Sequence, residues 1–270
     1  VPSSRASVTM RRCIGLLSET YSKWERRAPL TPSHVQRLVG SGIDVLVQPS
    51  TSRVFTNSEY EVAGATITSD LSGASAILGV KQPTRGTLLD DKTYLVFSHV
   101  IKAQDENMQL LDEFLAKRCR LIDYECVREG GESSAPRLIA FGGFAGKSGI
   151  INGMRGLGLR LLNLGYSTPF LSVGPAYSYI DYCDAKRAIG AVGEQIASQG
   201  LPLAVSPLVV AIAGTGNVSR GAVDALSALS DDVLTWVSPD ELPGLSALHG
   251  TEGEHQRRVY ACVVPTEDMV

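Results

Sequence analysis

Short apolar runs alternate along the first half of the chain with stretches in which apolar residues recur every three or four positions. The runs are rich in β-branched and aromatic residues and predict strands at 14–17, 42–49, 75–80, 93–99 and 120–125. Strands that alternate with helices usually form a parallel sheet that carries helices on both faces. Residues 13–145 therefore predict an α/β domain.

Helix signals lie between these runs. Thr31 and Pro32 predict a helix that ends near Gly40, because Thr is a favoured N-cap and Pro fits the first helical position. A short capped helix is predicted within 56–65, and residues 105–117 carry apolar side chains at helical spacing. The clearest loop of this part is at 128–136.

Residues 141–166 predict one long helix with an unusual content of glycine. Each glycine inside a helix costs about 1 kcal/mol relative to alanine. A cluster of them on nearby faces predicts a close crossing with another backbone; these are Gly146, Gly149, Gly153 and Gly156. A membrane helix is the weaker interpretation because three cations interrupt the segment: Lys147, Arg155 and Arg160.

The remainder of the chain predicts a second α/β unit. Its expected elements are a helix at 185–199, a strand at 208–214, a helix from about Val218 to Leu229, a strand at 233–237 and one further run at 257–265. A dinucleotide-binding domain has two halves and usually six strands, but only 56 residues follow Gly214. We therefore expect residues 146–202 to be linking helices and residues 203–270 to be the front half of a Rossmann domain.

Composition narrows the functional class. The 270 residues are 44% hydrophobic with a net charge of −3, so disorder is not expected and a nucleic-acid partner is disfavoured. No uncharged apolar stretch is long enough to cross a membrane. The five cysteines are scattered without a C-x-x-C pair, which predicts neither a disulfide framework nor a metal site and indicates a reducing compartment.

The N-terminal residues 1–18 contain three arginines and no acidic residue: Arg5, Arg11 and Arg12. This composition resembles the end of a mitochondrial transit peptide. The alternative is a disordered terminus in which Met10 is the native start.

A glycine turn gives the strongest local motif. A buried β run ends at Ala213, and Gly214 and Gly216 match the first two glycines of G-x-G-x-x-G. The first allows a tight turn, the second lets the backbone approach a pyrophosphate, and the following helix turns its N–H groups toward the phosphates. Ser219 replaces the third glycine. The residues expected to bind the coenzyme here are Gly214, Thr215, Gly216, Asn217 and Val218; a glycine turn without a ligand is the alternative.

The end of the next strand bears on which coenzyme is bound. An acidic residue there would bind the adenosine ribose of NADH, but this sequence places Ser238 at that position. Since a carboxylate repels a 2′-phosphate, serine favours NADPH over NADH. Arg257 or Arg258 would be the candidate partner of that phosphate.

Cationic residues follow the strands of the first domain. Arg27 precedes a helix, Lys81 follows one predicted strand, and His99 with Lys102 follows the next. Ligands of open α/β folds bind outside the carboxyl ends of strands, and guanidinium groups bind carboxylates in a bidentate manner. The sequence therefore predicts a cationic pocket for an acidic substrate.

Seven strings in this order resemble the lysine-ketoglutarate reductase portion of the bifunctional lysine-ketoglutarate reductase/saccharopine dehydrogenases, within the alanine dehydrogenase/transhydrogenase N-terminal superfamily. The resemblance covers about residues 14–238. The strings are WERRAPLTP, GVKQP, FSHVIKAQ, RLIDYE, AFGGFAG, MRGLGLRLL and GTGNVSRGA.

The resemblance implies the chemistry and the roles of individual residues. Lysine would condense with 2-oxoglutarate, and NADPH would reduce the product to saccharopine. Lys81 and His99 would be the acid–base residues, Arg27 and Lys102 would bind substrate, and Glu125 would tune these cations. The resemblance also implies a homo-oligomer, a fused saccharopine dehydrogenase domain and a location in the mitochondrial matrix or, as in plants, the cytoplasm.

Two other functions stay open on the sequence alone. One is alanine-dehydrogenase chemistry with pyruvate and ammonia. The other is a truncated fragment that binds ligand or regulates without turnover.

Overall fold

The computed structural model describes residues 12–132 and 134–266, and the chain divides into two compact units, Val1–Ala140 and Phe141–Val270. The arginine-containing terminus, including Arg5, Arg11 and Met10, lies outside the described residues. The domain boundaries predicted from the sequence, after residues 145 and 202, remain predictions.

The first unit is built on six parallel strands in the order β3-β2-β1-β4-β5-β6. Their bounds are β1 Cys13–Leu16, β2 Asp44–Val47, β3 Thr66–Ile67, β4 Ala76–Lys81, β5 Thr93–Phe97 and β6 Arg120–Asp123. The predicted parallel sheet is confirmed. The strand order reverses between β1 and β4, which is where open α/β sheets bind ligands.

Helices cover both faces of this sheet because successive side chains of a strand point to opposite faces. On β2, Val45 and Val47 join one core together with Tyr60, whereas Leu46 packs against the other core. The helices are α1 Pro32–Gly40, α2 Asn57–Val62 and α3 Asp105–Ala116. α1 begins as predicted, and the Thr31 hydroxyl accepts the His34 N–H at 3.3 Å.

Among its described residues, the second unit contains four α-helices and a three-stranded parallel sheet. The helices are α4 Gly142–Asn163, α5 Tyr182–Gln199, α6 Asn217–Leu226 and α7 Leu242–Ser246. The strands are β7 Leu208–Ala213, β8 Leu234–Trp236 and β9 Val259–Val264, in the order β7-β9-β8. In a Rossmann half, the first two strands of the chain are neighbours in the sheet. Here β9 lies between β7 and β8.

The glycine-rich helix α4 crosses α6 at very short range. A Cβ atom on Gly146 would lie 1.9 Å from the carbonyl oxygen of Val218, and one on Gly221 would lie 2.0 Å from the carbonyl oxygen of Gly143. The predicted backbone crossing is therefore confirmed at Gly146. By contrast, nothing lies within 4 Å of the Cβ position of Gly149, Gly153 or Gly156.

Candidate functional site

Three predicted site residues lie at the carboxyl ends of adjacent strands in the first unit. Lys81 is the last residue of β4 and pairs in register with Phe97, the last residue of β5. His99 follows β5 by two residues, and Glu125 follows β6 by two residues. Because β4, β5 and β6 are parallel neighbours, these residues share one edge of the sheet.

Glu125 is the centre of a charged cluster that also contains His99, Lys102 and Arg137; we call these four residues the Glu125 cluster. Its carboxylate is only 7% exposed. One oxygen lies 3.2 Å from His99 Nδ1, and the other lies 3.3 Å from Lys102 Nζ and 3.1 Å from Arg137 Nη1. Three nitrogen groups thus converge on one buried carboxylate.

The charges of the cluster favour the ionised form of Glu125. Burial raises the pKa of its carboxyl, but the bond and charge of Lys102 and the neighbouring His99 outweigh burial and hold the pKa below its ordinary value. Lys102 Nζ also lies 3.2 Å from His99 Nδ1. His99 Nδ1 thus lies within hydrogen-bond distance of both groups, and which of them it bonds depends on which ring nitrogen carries the proton.

Buried hydrogen bonds fix the backbone beneath the cluster. Asp123 Oδ1 accepts the Glu125 N–H at 2.8 Å, and Asp123 Oδ2 accepts the hydroxyl of Ser98. The same Ser98 oxygen accepts the Val100 N–H at 3.3 Å. His99, between these residues, has a left-handed backbone with φ of 60°, a conformation that costs energy in a non-glycine residue.

Arg27 is held by a residue that the sequence analysis missed. Its guanidinium binds Glu25 in a bidentate manner, with Nε–Oε1 at 2.8 Å and Nη2–Oε2 at 2.6 Å. The Arg27 bonds lower the pKa of the Glu25 carboxyl, and the charge of Lys81 adds to this effect. Arg27 therefore already holds a carboxylate in the geometry expected for a substrate carboxylate.

Lys81 is surrounded by the segment that follows β1. Its ammonium lies 5.4 Å from the centroid of the Tyr21 ring, and its backbone N–H donates to Glu19 Oε2 at 3.0 Å. Glu19 and Lys81 line a cavity of about 220 Å³ at the carboxyl ends of β1 and β4. Other lining residues are Ser18, Thr20, Gln48, Gln82, Thr84 and Thr87.

The glycine turn in the second unit combines a left-handed glycine with an exposed start of α6. Gly214 has φ of 81°, a conformation that L side chains rarely adopt, and its N–H donates to the Val264 carbonyl at 2.7 Å. A Cβ on Gly216 would meet nothing within 4 Å, so the backbone is open to a ligand there. α6 begins at Asn217 without a side-chain cap and without an acidic residue in its first turn. Thr215 and Val218 are exposed on either side.

The strand end expected to select the coenzyme carries a carboxylate, that of Glu241, beside Ser238. Ser238 N and Oγ both donate to Glu241 Oε2, at 2.7 and 2.9 Å, in a capping box. These bonds lower the pKa of the Glu241 carboxyl. A carboxylate is therefore hydrogen-bonded to Ser238, the residue that was expected to leave room for a 2′-phosphate.

Neither arginine considered for that phosphate lies beside Ser238. Arg257 donates to the carbonyls of Ala197 and Ser198 at the end of α5, and Arg258 donates to Thr235 Oγ1 at 3.2 Å. Both arginines precede β9, whereas Ser238 follows β8. Since β8 and β9 are parallel, the arginines lie at the opposite edge of this sheet.

Residues 12–132 and 134–266 contain neither a membrane-spanning helix nor a cluster of metal ligands. In these ranges no helix is both long and apolar enough to cross a membrane. Within the same ranges, His, Cys, Asp and Glu side chains form no group of three or more that could hold a metal ion.

Sequence reasoning missed three charged residues of the first unit, namely Glu19, Glu25 and Arg137. Glu25 lies within the WERRAPLTP string, so that string was a signal for it. Arg137 follows the loop at 128–136 and pairs with Arg128 in an isolated antiparallel bridge. No local sequence pattern predicts this bridge.

Comparison with known proteins agrees with this architecture. The family described as alanine dehydrogenase/PNT, N-terminal domain, matches residues 15–146. A solved L-alanine dehydrogenase structure superposes with a TM-score of 0.52 at 21% identity, covering 95% of this chain and 62% of that one. At this identity the superposition supports the fold alone.

Closer relatives are found among curated sequences. An Arabidopsis thaliana alpha-aminoadipic semialdehyde synthase is 46% identical over 95% of this chain and 25% of its own length. A mitochondrial alpha-aminoadipic semialdehyde synthase of Bos taurus is 41% identical over 97% of this chain and 27% of its own length. The chain thus spans about a quarter of the length of these relatives. Along nearly its whole length the chain is similar to one portion of the aminoadipic semialdehyde synthases, and its residues 15–146 match the alanine dehydrogenase/PNT N-terminal domain.

Proposed function

We propose that the chain binds substrate and coenzyme for a reductase that joins L-lysine to 2-oxoglutarate and yields saccharopine. The Glu125 cluster is the observation that carries this proposal, because it places His99, Lys102 and Arg137 at the strand edge that also holds Lys81. Such a concentration of cations suits a substrate with two carboxylates. The similarity to aminoadipic semialdehyde synthases supports it independently.

The residues have distinct roles in the proposed reaction. Arg27 exchanges its bidentate contact with Glu25 for a carboxylate of 2-oxoglutarate. The ε-amine of lysine adds to the ketone carbon, and the ketone oxygen leaves as water after gaining two protons. Lys81 and His99 move these protons, and the position of His99 Nδ1 within hydrogen-bond distance of Glu125 and Lys102 supports this role. When bound, the coenzyme supplies the hydride that reduces the resulting carbon–nitrogen double bond.

The coenzyme is proposed to be a nicotinamide dinucleotide held by Gly214, Thr215, Gly216, Asn217 and Val218. The open Cβ position of Gly216 and the uncapped start of α6 support this placement. NADPH is the proposed form, because the side chain at the strand end is the hydroxyl of Ser238. The Glu241 carboxylate acts against a 2′-phosphate, so we expect a small preference over NADH.

The biological setting belongs to the proposal as well. We propose a homo-oligomer in the mitochondrial matrix, fused to a saccharopine dehydrogenase domain. The bovine relative is named as a mitochondrial protein, which supports this location. Light scattering of the purified chain tests the oligomer, and imaging of a tagged chain in cells tests the compartment.

A substrate screen tests the proposed reaction. Oxidation of NADPH by the purified chain should require both lysine and 2-oxoglutarate, with a slower rate for NADH. Oxidation that requires pyruvate and ammonia instead would indicate alanine-dehydrogenase chemistry. Coenzyme binding without turnover under any of these conditions would indicate a fragment that binds ligand only.

A further inference from the structure

The end of β4 contains an irregularity that determines where Lys81 lies. Leu78 pairs with Leu95 on β5, and Lys81 pairs with Phe97. Three steps along β4 therefore correspond to two steps along β5, so β4 holds one extra residue. Such a bulge leaves backbone groups unpaired and redirects the side chains that follow it.

Glu19 binds this bulge through its side chain. Its Oε1 accepts the Val80 N–H at 2.6 Å, and its Oε2 accepts the Lys81 N–H at 3.0 Å. In a regular strand consecutive N–H groups point to opposite edges, so one carboxylate could not accept both. The bulge turns the two groups to the same side, and Glu19 holds them there.

The Glu19 side chain occupies a confined, partly buried space beside Gly79. A Cβ on Gly79 would lie 3.0 Å from Leu17 Cδ1 and 3.4 Å from Glu19 Oε1, so glycine leaves the room that Glu19 occupies. Burial raises the pKa of the Glu19 carboxyl, against the two backbone bonds that lower it. Burial, together with the Glu19 charge, raises the pKa of the neighbouring Tyr124 phenol to about 12.

We propose that Glu19 is a positioning residue that aims Lys81 by fixing the bulge of β4. The Lys81 backbone N–H is one of the two groups that Glu19 holds, so a change at Glu19 reaches the Lys81 side chain through a single residue. Both residues line the same cavity at the point where the strand order reverses. The consequence for turnover rests on the proposed function of Lys81, but the structural link between the two residues does not.

The test compares Glu19→Gln with a matched control. A glutamine can accept only one of the two N–H groups, and its own amide N–H₂ would face the other, so the bulge should lose its fixed geometry. The control is Glu113→Gln, because Glu113 also accepts two backbone N–H groups, those of Gly86 and Leu88. Both variants remove one charge and weaken the same kind of contact.

Two measurements are made on each variant. The first is the kcat and the KM for lysine and for 2-oxoglutarate. The second is the NMR signal of the ¹³C-methylated Lys81 amine, assigned with Lys81→Arg, in the chain without substrate. We expect Glu19→Gln to lower kcat about 100-fold, as a displacement of a reacting group by about 1 Å can do, with little change in either KM. The Lys81 signal should shift in Glu19→Gln and not in Glu113→Gln.

Several outcomes would overturn the proposal. An unchanged Lys81 signal and kcat in Glu19→Gln would do so, as would an equal loss in Glu113→Gln. If Glu19→Gln does not fold, Glu19→Asp replaces it, since Asp keeps the charge but is too short to reach both N–H groups; its kcat should fall and its Lys81 signal should shift. If the unaltered chain forms no saccharopine, the proposed function fails, and the NMR comparison still decides whether Glu19 positions Lys81.

Discussion

His99 Nδ1 lies 3.2 Å from the Oε2 atom of Glu125, which joins the loops after two neighbouring strands. The same carboxylate binds Lys102 and Arg137. Removing its charge should therefore expose these cations to mutual repulsion and release the imidazole. We predict that Glu125→Gln lowers kcat by about two orders of magnitude, because the reacting groups lose their fixed geometry. Glu129→Gln, an exposed neighbour, should retain the original kcat.

The Glu125 cluster also predicts a dependence of stability on pH. Since the pKa of Glu125 is lower in the folded chain than its ordinary value of 4.5, the unfolded state binds more protons in acid. The stabilisation is therefore present above this value and is lost as the pH falls through the folded pKa. We expect Glu125→Gln to lower the free energy of unfolding of the first unit by about 1–3 kcal/mol at neutral pH. Urea unfolding, monitored by hydrogen exchange of the β5 amides, should show that the difference in unfolding free energy between the two proteins becomes smaller in acid. A difference that does not change with pH would contradict this prediction.

The helix crossing of the second unit predicts opposite effects for two similar substitutions. In Gly146→Ala, the new methyl group would collide with the backbone of α6, and we expect a loss of at least about 3 kcal/mol. In Gly149→Ala, the methyl group meets open space, so alanine should stabilise α4 by up to about 1 kcal/mol. Thermal unfolding of the two variants measures this contrast. Equal effects in the two variants would contradict a close crossing of α4 and α6 at Gly146.

Gly216 separates coenzyme binding from folding. Its φ of −78° is accessible to alanine, and no atom of the described residues lies within 4 Å of the new Cβ. Gly216→Ala should therefore leave the unfolding temperature unchanged while it lowers NADPH affinity about tenfold, a loss of about 1.4 kcal/mol. Fluorescence titration measures the affinity. Wild-type affinity in this variant would remove the glycine turn from the coenzyme site.

The Glu241 carboxylate, which is hydrogen-bonded to Ser238, should weaken the binding of NADPH. Replacing it by glutamine removes the negative charge from the strand end but keeps a side chain of similar size. We expect the ratio of NADPH to NADH affinity to rise several-fold in Glu241→Gln and to change less in Asp240→Asn, which alters the same turn. An unchanged ratio in both variants would place the adenosine ribose elsewhere.

Much of the fold could be predicted because periodicity and caps are local signals. The strands at 75–80 and 93–99 and the start of α1 at Pro32 were readable in this way. β3, with two residues, was missed because it is too short to form a pattern. α5 begins three residues before the predicted 185, because Asp181 caps it by accepting the Asp184 N–H.

The candidate site was readable only in part. Lys81 and His99 could be predicted because parallel strands bring their carboxyl ends to one edge. Contacts made through loops could not, since the paths of the loops decide them. Arg137 reaches Glu125 by such a route, which carries no sequence signal, whereas Glu25 lies two residues from Arg27 within the WERRAPLTP string. The contact of Glu241 with Ser238 is local as well, since S-x-x-E is the sequence pattern of a capping box.

The most direct test of the proposed chemistry is the formation of saccharopine itself. The purified chain is incubated with lysine, 2-oxoglutarate and NADPH, and the product is identified by mass spectrometry beside the double variant Lys81→Met/His99→Gln. We predict one saccharopine for each NADPH oxidised, and loss of the product in the double variant with coenzyme affinity retained. Saccharopine formation at an undiminished rate by the double variant would contradict the assignment of Lys81 and His99.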